Sequence, residues 1–146
     1  MTNRKKENAL ILSQEEIASG IFSLWLKTEA AGQARPGQFI SMYTNDGSRL
    51  LPRPISICEI DRGREALRVV YRVTGPDTGT ELFSRMKAGD VIPVIGPLGN
   101  GFPMERAEGK RVFLIGGGIG VPPILELAKQ LNCEKKQIIV GYRDQE

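Results

Sequence analysis

From Asn8 to about Val94 the chain runs in short apolar, β-branched and aromatic stretches broken by turn residues: ALILSQEEIASGIFSLWLKTEA, GQFISMYT, RPISICEI, LRVVYRVT and DVIPVIG. Short strands at this spacing predict a barrel or a sandwich. Asp46-Gly47 in TNDGSR predicts a tight hairpin, because a primed two-residue turn needs positive φ. One helix interrupts the strands: TGTELFSRMKAGD sets Leu82, Phe83 and Met86 at helical spacing and puts Gly89 where a helix C-terminal glycine belongs.

After GPLGNGFP the pattern changes. VFLIGG reads as a fully buried strand, GVPPILELAKQL as a helix with Ile124, Leu127, Ala128 and Leu131 on one face, and QIIVGY as another strand. This is one βαβ unit. Parallel sheets are ordinarily covered on both faces. The unit is therefore expected to be a C-terminally truncated part of something longer, or to be covered by another chain. Its uncovered apolar face and open edges predict a homodimer.

At 146 residues the chain is long enough for a real core, and 40% apolar with 25% charged residues is a globular composition. No apolar run of about 18 residues is present, and the basic start MTNRKKENALIL is followed by too short an apolar stretch for a signal peptide. A cytoplasmic protein is expected. The net charge of +3 is dispersed apart from Arg4, Lys5, Lys6 and Lys135, Lys136, so no nucleic-acid stripe is read. There is no histidine, and Cys58 and Cys133 are far apart. Cys/His zinc sites, His-based triads and a four-cysteine iron–sulfur cluster are thereby excluded within the chain, and no metal ligands are assigned. Both thiols are expected to be buried and structural.

Three motifs carry candidate chemistry. In RPISIC, Pro54 cannot donate to a ladder, and Arg53 is costly to bury without an anion. Either Arg53 is a phosphate clamp, suited by a permanently ionised guanidinium that can hold two oxygens, or RPISIC is an edge strand with a surface arginine. In TGPDTGTELF the helix start at Gly79-Thr80 offers unpaired N–H groups to an anion, or Thr78 and Glu81 form a capping box that uses them. GGGIGVPP after a strand and before a helix permits a tight turn and close approach of a pyrophosphate, with Pro122 or Pro123 suited to the first helical turn. It carries Pro123 where the dinucleotide fingerprint has glycine or alanine, and a glycine-rich connection without ligand stands beside that reading.

In this order the motifs resemble the ferredoxin reductase family of flavoproteins. PGQF, RPISI, VYRV, GPLGNGF and GGGIGVPPILELAK look like the electron-transfer subunits of two-subunit, NAD-linked dihydroorotate dehydrogenases, from Pro36 to Lys129. The resemblance implies an antiparallel Greek-key FAD-binding barrel over residues 1–106. Residues 107–146 would then begin a nucleotide-binding α/β domain. It also implies an FAD site of Arg53, Pro54, Ile55 and Ser56 with Val70, Tyr71 and Arg72, and Gly79 and Thr80 at the pyrophosphate. Ser56 would lie near the reactive flavin nitrogen, the catalytic assignment. Gly116, Gly117, Gly118 and Gly120 would face NAD, bound weakly or not at all by one βαβ unit. The family's [2Fe-2S] centre is implied too, but its cysteine cluster is absent here. The implied function is electron relay from dihydroorotate oxidation, in an FMN-containing partner subunit of pyrimidine biosynthesis, through FAD to NAD. The alternatives are a related NAD(P)H-linked flavin reductase subunit with another partner and a flavin-binding module without turnover. Arg53 and Ser56, three apart, should point to opposite faces of a regular strand, a conflict that a break at Pro54 would resolve.

Overall fold

The computed structural model describes residues 5–48 and 51–143. Residues 1–4, 49–50 and 144–146, and with them Arg4 of the basic cluster and Arg49 of TNDGSR, lie outside the described residues.

Six strands close an antiparallel barrel: β1 (Lys6–Ala18), β2 (Ile21–Lys27), β3 (Phe39–Met42), β4 (Arg53–Asp61), β5 (Ala66–Arg72) and β6 (Val91–Leu98). Their spatial order is β1-β2-β5-β4-β3-β6. The meander β3-β4-β5 has β6 returning beside β3, a Greek key. Each strand buries alternate residues, among them Leu24 and Leu26, Leu67, Val69 and Tyr71, and Ile92 and Val94, in one core. This is the period-two pattern of half-buried strands. In β4 the alternation breaks at Ile57 and Cys58, both buried, where a register shift against β5 marks a bulge. A 3₁₀ turn at Glu29–Gly32 adds Ala30 and Ala31 to the core. Glu7 holds that turn by accepting from the Thr28 hydroxyl and the Glu29 and Ala30 amides.

The second layer is β7 (Arg111–Gly117), α2 (Pro122–Gln130) and β8 (Lys135–Gly141), with β7 and β8 parallel. Leu114, Ile124, Leu127 and Leu131 form a second cluster, with Ala128 packed against it, so the apolar face read for this helix is the one it buries.

Four expectations are corrected. The Asp46-Gly47 hairpin does not form: β3 and β4 pair as Met42 with Arg53 across a longer connection, and the Asp46 carboxylate accepts from the Ser48 amide instead. A side-chain turn of this kind competes with the primed turn. The helix α1 (Gly79–Ser84) is shorter than the spacing suggests, and Gly89 lies in the turn after it, φ +93°, its N–H donating to the Ile11 carbonyl. VFLIGG is not fully buried: Phe113 and Ile115 are 61% and 70% exposed, because α2 covers only the other face. Cys58 is buried, but Cys133 is only half-buried.

Candidate functional site

The β4–β5 ladder runs from Asp61–Ala66 to Ile57–Val69 and stops. Beyond it, Arg53–Ser56 pair only with β3, and Val70, Tyr71 and Arg72 only with β2. The barrel wall is thus splayed along the stretch where both sequence motifs fall. Pro54 fits here because a local edge needs no second donor. β4 stays regular through this stretch, pairing residue for residue with Phe39–Met42. Pro54 therefore makes no break, and Arg53 and Ser56 keep opposite parity: Pro54 and Ser56 are exposed, Arg53 and Ile55 half-buried.

Helix α1 closes on the start of β4. A Cβ added to Gly79 would sit 3.2 Å from Arg53 Nε, 3.4 Å from Arg53 Cγ and 3.4 Å from Thr44 Cγ2. A side chain at this position would press the Arg53 side chain outward by a few tenths of an ångström, so glycine gives Arg53 its close approach to the first turn of the helix. The guanidinium is steadied by an Nη1 donation to the Leu51 carbonyl at 3.2 Å.

Both readings of the helix start hold in part. The Thr78 hydroxyl accepts from the Glu81 amide at 3.3 Å, as an N-cap should, while the Glu81 carboxylate accepts from the Asp77 amide at 2.7 Å. The amides of Gly79 and Thr80 have no partner within the helix. The Thr80 hydroxyl is occupied by Thr74, accepting from its amide at 3.1 Å, and by Thr78. Its contribution to a ligand is therefore a backbone one. Arg53 and Gly79-Thr80 together set a permanent positive charge beside two N–H groups that the helix itself leaves unpaired, an arrangement suited to phosphate oxygens.

Tyr71 faces the other way. Its ring is 1% exposed, stacked on Phe22 at 5.7 Å and edge-on to Phe83 at 6.2 Å, and its hydroxyl donates to Gln14 Oε1 at 2.8 Å. Burial pushes the phenol pKa up, so it stays protonated. Val70 is buried too, so these two offer the seam their backbone, while Arg72 is exposed.

The glycine turn lies on β7 and the 3₁₀ turn Gly118–Gly120 beside β5. A Cβ on Gly116 would meet Ile124 Cδ1 at 2.5 Å and the Gly120 carbonyl at 3.1 Å, so this glycine is required by the packing of α2. Pro122 and Pro123 occupy the first two positions of α2 and contribute no N–H, and the Val121 amide donates to the Gly118 carbonyl. Any anion here must rely on the amides of Gly117 to Gly120.

Reading the sequence did not single out Gln14, Thr44, Thr74 or Glu126. Gln14 lies 57 positions from Tyr71, and no local pattern signals such a contact. Among the described residues no group of three or more His, Cys, Asp or Glu could hold a metal ion. No described helix is long and apolar enough to cross a membrane.

No protein-family profile matches the chain. It is 44% identical over 147 residues to the dihydroorotate dehydrogenase B (NAD(+)) electron transfer subunit of Enterococcus faecalis, covering 98% of this chain and 55% of that protein. To the subunit of the same name from Streptococcus mutans it is 47% identical over 131 residues, 89% of this chain and 50% of that protein. A solved NADH-dependent reduced ferredoxin-NADP oxidoreductase, described in terms of flavin-based electron bifurcation, superposes with TM-score 0.81 at 28% identity. The match covers 99% of this chain and 51% of that one. The chain spans about half the length of the curated relatives it matches. Over that half, sequence identity and the barrel with its βαβ continuation agree: the chain belongs to the family of ferredoxin reductase-like proteins that includes the dihydroorotate dehydrogenase B electron transfer subunits.

Proposed function

We propose that this chain binds FAD along the β4–β5 seam and is the electron-transfer portion of a cytoplasmic, NAD-linked dihydroorotate dehydrogenase. It would be a flavin-dependent oxidoreductase subunit, receiving electrons from an FMN-containing catalytic subunit and passing them to NAD. The names of its relatives, electron transfer subunits of dihydroorotate dehydrogenase B (NAD(+)), support the substrate, NAD and a further subunit. The observation that carries the flavin reading is the Arg53 side chain lying over Gly79 at the end of β4 that no longer pairs with β5. A flavin supplies the redox chemistry when bound; the chain supplies the shape and the charge. Arg53 and the Gly79 and Thr80 amides would hold the pyrophosphate. The backbone of Val70 to Arg72, with Pro54 and Ile55, would flank the ring system. Ser56 would offer its hydroxyl to the ring edge, from the face opposite Arg53. The barrel unit is taken as residues 1–106. Residues 107–146 would be the dinucleotide unit, with the amides of Gly117, Gly118 and Gly120 toward NAD and Gly116 serving the turn through its packing against α2.

Only a dinucleotide has the pyrophosphate this arrangement suits, so FAD should bind more tightly than FMN. Loss of a charge-assisted contact of about 1.5 to 3 kcal/mol predicts that Arg53→Ala weakens FAD binding roughly 10- to 150-fold and FMN binding much less. Fluorescence titration of apo-protein with both flavins tests this, and equal affinity for the two would overturn it. The structural likeness to the ferredoxin-NADP oxidoreductase supports a second reading, an NAD(P)H-linked flavin subunit with another partner. Identification of the subunit that co-purifies separates the two.

A further inference from the structure

We infer that Glu126 is a positioning residue that fixes the glycine-rich turn against the flavin barrel. The inference rests on the proposed reading for its functional consequence and on the structure for its geometry. Helix α2 has two working sides. Ile124, Leu127 and Leu131 pack under β7, while Glu126 turns toward the barrel and is 3% exposed. Its Oε2 accepts from the Ile60 amide of β4 at 2.8 Å, and its Oε1 accepts from Gln130 Nε2 at 2.6 Å. Lys129 Nζ stands 3.9 Å from Oε2 and 3.1 Å from Glu59 Oε1. Glu59 in turn bonds Arg68 at 2.7 Å, and Arg68 Nε donates to Ser23 Oγ at 2.8 Å. A line of polar contacts thus crosses from β2 through β5 and β4 to α2.

A buried carboxylate is costly unless its lone pairs are filled, and an apolar side chain of similar size often serves stability as well or better. What the carboxylate adds is direction: it accepts one amide of one barrel strand, next to the β4 bulge, and so admits one setting of α2 on β4. The turn Gly118–Gly120 leads directly into this helix and lies beside β5. A shift of α2 on β4 therefore moves the turn relative to the flavin seam. Glu126 touches no reacting atom in this scheme; it acts through the turn.

The test uses the isotope-labelled chain with three substitutions: Glu126→Leu, Glu126→Asp and Glu126→Gln. Leucine removes the acceptor, aspartate is too short to reach Ile60, and glutamine keeps a carbonyl oxygen at the same reach. Amide exchange at Ile60 should rise about ten-fold or more in the first two and stay within about three-fold in the third. Residual dipolar couplings from β7, α2 and β8 should fit the barrel's alignment tensor in the wild type and in Glu126→Gln, and depart from it in Glu126→Asp and Glu126→Leu. Should leucine prevent folding, the aspartate and glutamine pair decides alone. An unchanged tensor in Glu126→Asp, or a glutamine variant no better than aspartate, overturns the inference. Flavin titration of the same proteins reports separately: absence of flavin binding by the wild type refutes the proposed function, whereas the couplings decide the role of Glu126.

Discussion

Gln14 holds three hydrogen bonds that join the barrel core to α1, and its removal should be felt well beyond β1. Its Nε2 donates to the Phe83 carbonyl at 2.9 Å and to the Met86 carbonyl at 2.6 Å, and its Oε1 accepts from the Tyr71 hydroxyl at 2.8 Å. In Gln14→Ala the Tyr71 hydroxyl, buried in the core, loses its acceptor, a loss of about 1 to 3 kcal/mol. The Phe83 carbonyl keeps the Met86 amide at 3.0 Å, so its loss is small. The Met86 carbonyl adds about 0.5 to 1.5 kcal/mol. The sum is roughly 1.5 to 4.5 kcal/mol, or roughly 3 to 18 °C in Tm for a chain of this size.

Gln14→Glu sharpens the case. A carboxylate would face two carbonyl oxygens with no proton to offer them, so at neutral pH it should be worse than alanine. Its folded pKa would rise above the ordinary glutamate value of about 4.3. The extra penalty is then full above the folded pKa and disappears as pH falls below the unfolded one, where the protonated acid can donate. Urea unfolding followed through the single tryptophan, Trp25 on β2, measures these differences. In the cycle with Tyr71→Phe, a coupling of about 1 kcal/mol is expected. A Gln14→Ala variant within about 0.5 kcal/mol of wild type, or a Gln14→Glu variant equal to it at pH 7, would refute the reasoning.

Other measurements bear on the remaining features. Desolvation opposes ionisation of Glu59, but hydrogen bonds from Arg68 and Lys129 outweigh it and hold the carboxyl below its ordinary 4.5. Its stabilisation is therefore full above pH 4.5 and lost as pH falls from there through the lower folded value, so Glu59→Gln should flatten that part of the stability curve. Burial pushes the Cys58 thiol up to about 11, whereas Cys133 is only half-buried. One thiol should label in the native chain and the second only on unfolding; two fast labels by mass spectrometry would contradict this. Gly116→Ala should cost about 1 to 3 kcal/mol by overpacking against Ile124. Gly120→Ala meets open space and should stay within about 0.5 kcal/mol; equal effects of the two would show that the packing argument fails.

What could be read from the sequence follows the range of the forces involved. Alternation along LRVVYRV reports a strand with one buried face because the pleat repeats every two residues, and Leu67, Val69 and Tyr71 are buried as that requires. The face of α2 was legible for the same reason at a period of 3.6. The errors arise where a local preference meets a distant one. Asp46-Gly47 favours a tight turn, yet β3 and β4 are held by partners on both sides, and the connection between them carries Thr44 to the helix start. The α1 pattern continues to Met86, but its last carbonyls are taken by Gln14 from another strand, and the helix ends earlier.

The two halves of the candidate site differ in how they are built, and this decides what mutations there can report. At the β4–β5 seam the candidate groups lie where the ladder between the two strands stops, and the half-buried Arg53 side chain lies against a neighbour without a side chain, Gly79. Arg53 lies outside the core cluster that holds Ile57 and Val69, so changes at Arg53 are expected to cost the barrel little and can report on the proposed flavin contact. At the glycine turn, by contrast, Gly116 is pressed against Ile124, and α2 is tied to β4 through Glu126. A substitution at Gly116 perturbs packing before it perturbs any ligand. Gly118 has open space around it but sits at φ +52°, where a side chain is strained, so Gly117 and Gly120, where an added Cβ meets nothing closer than 3.8 Å, are the positions that can test the turn's amides without moving the helix.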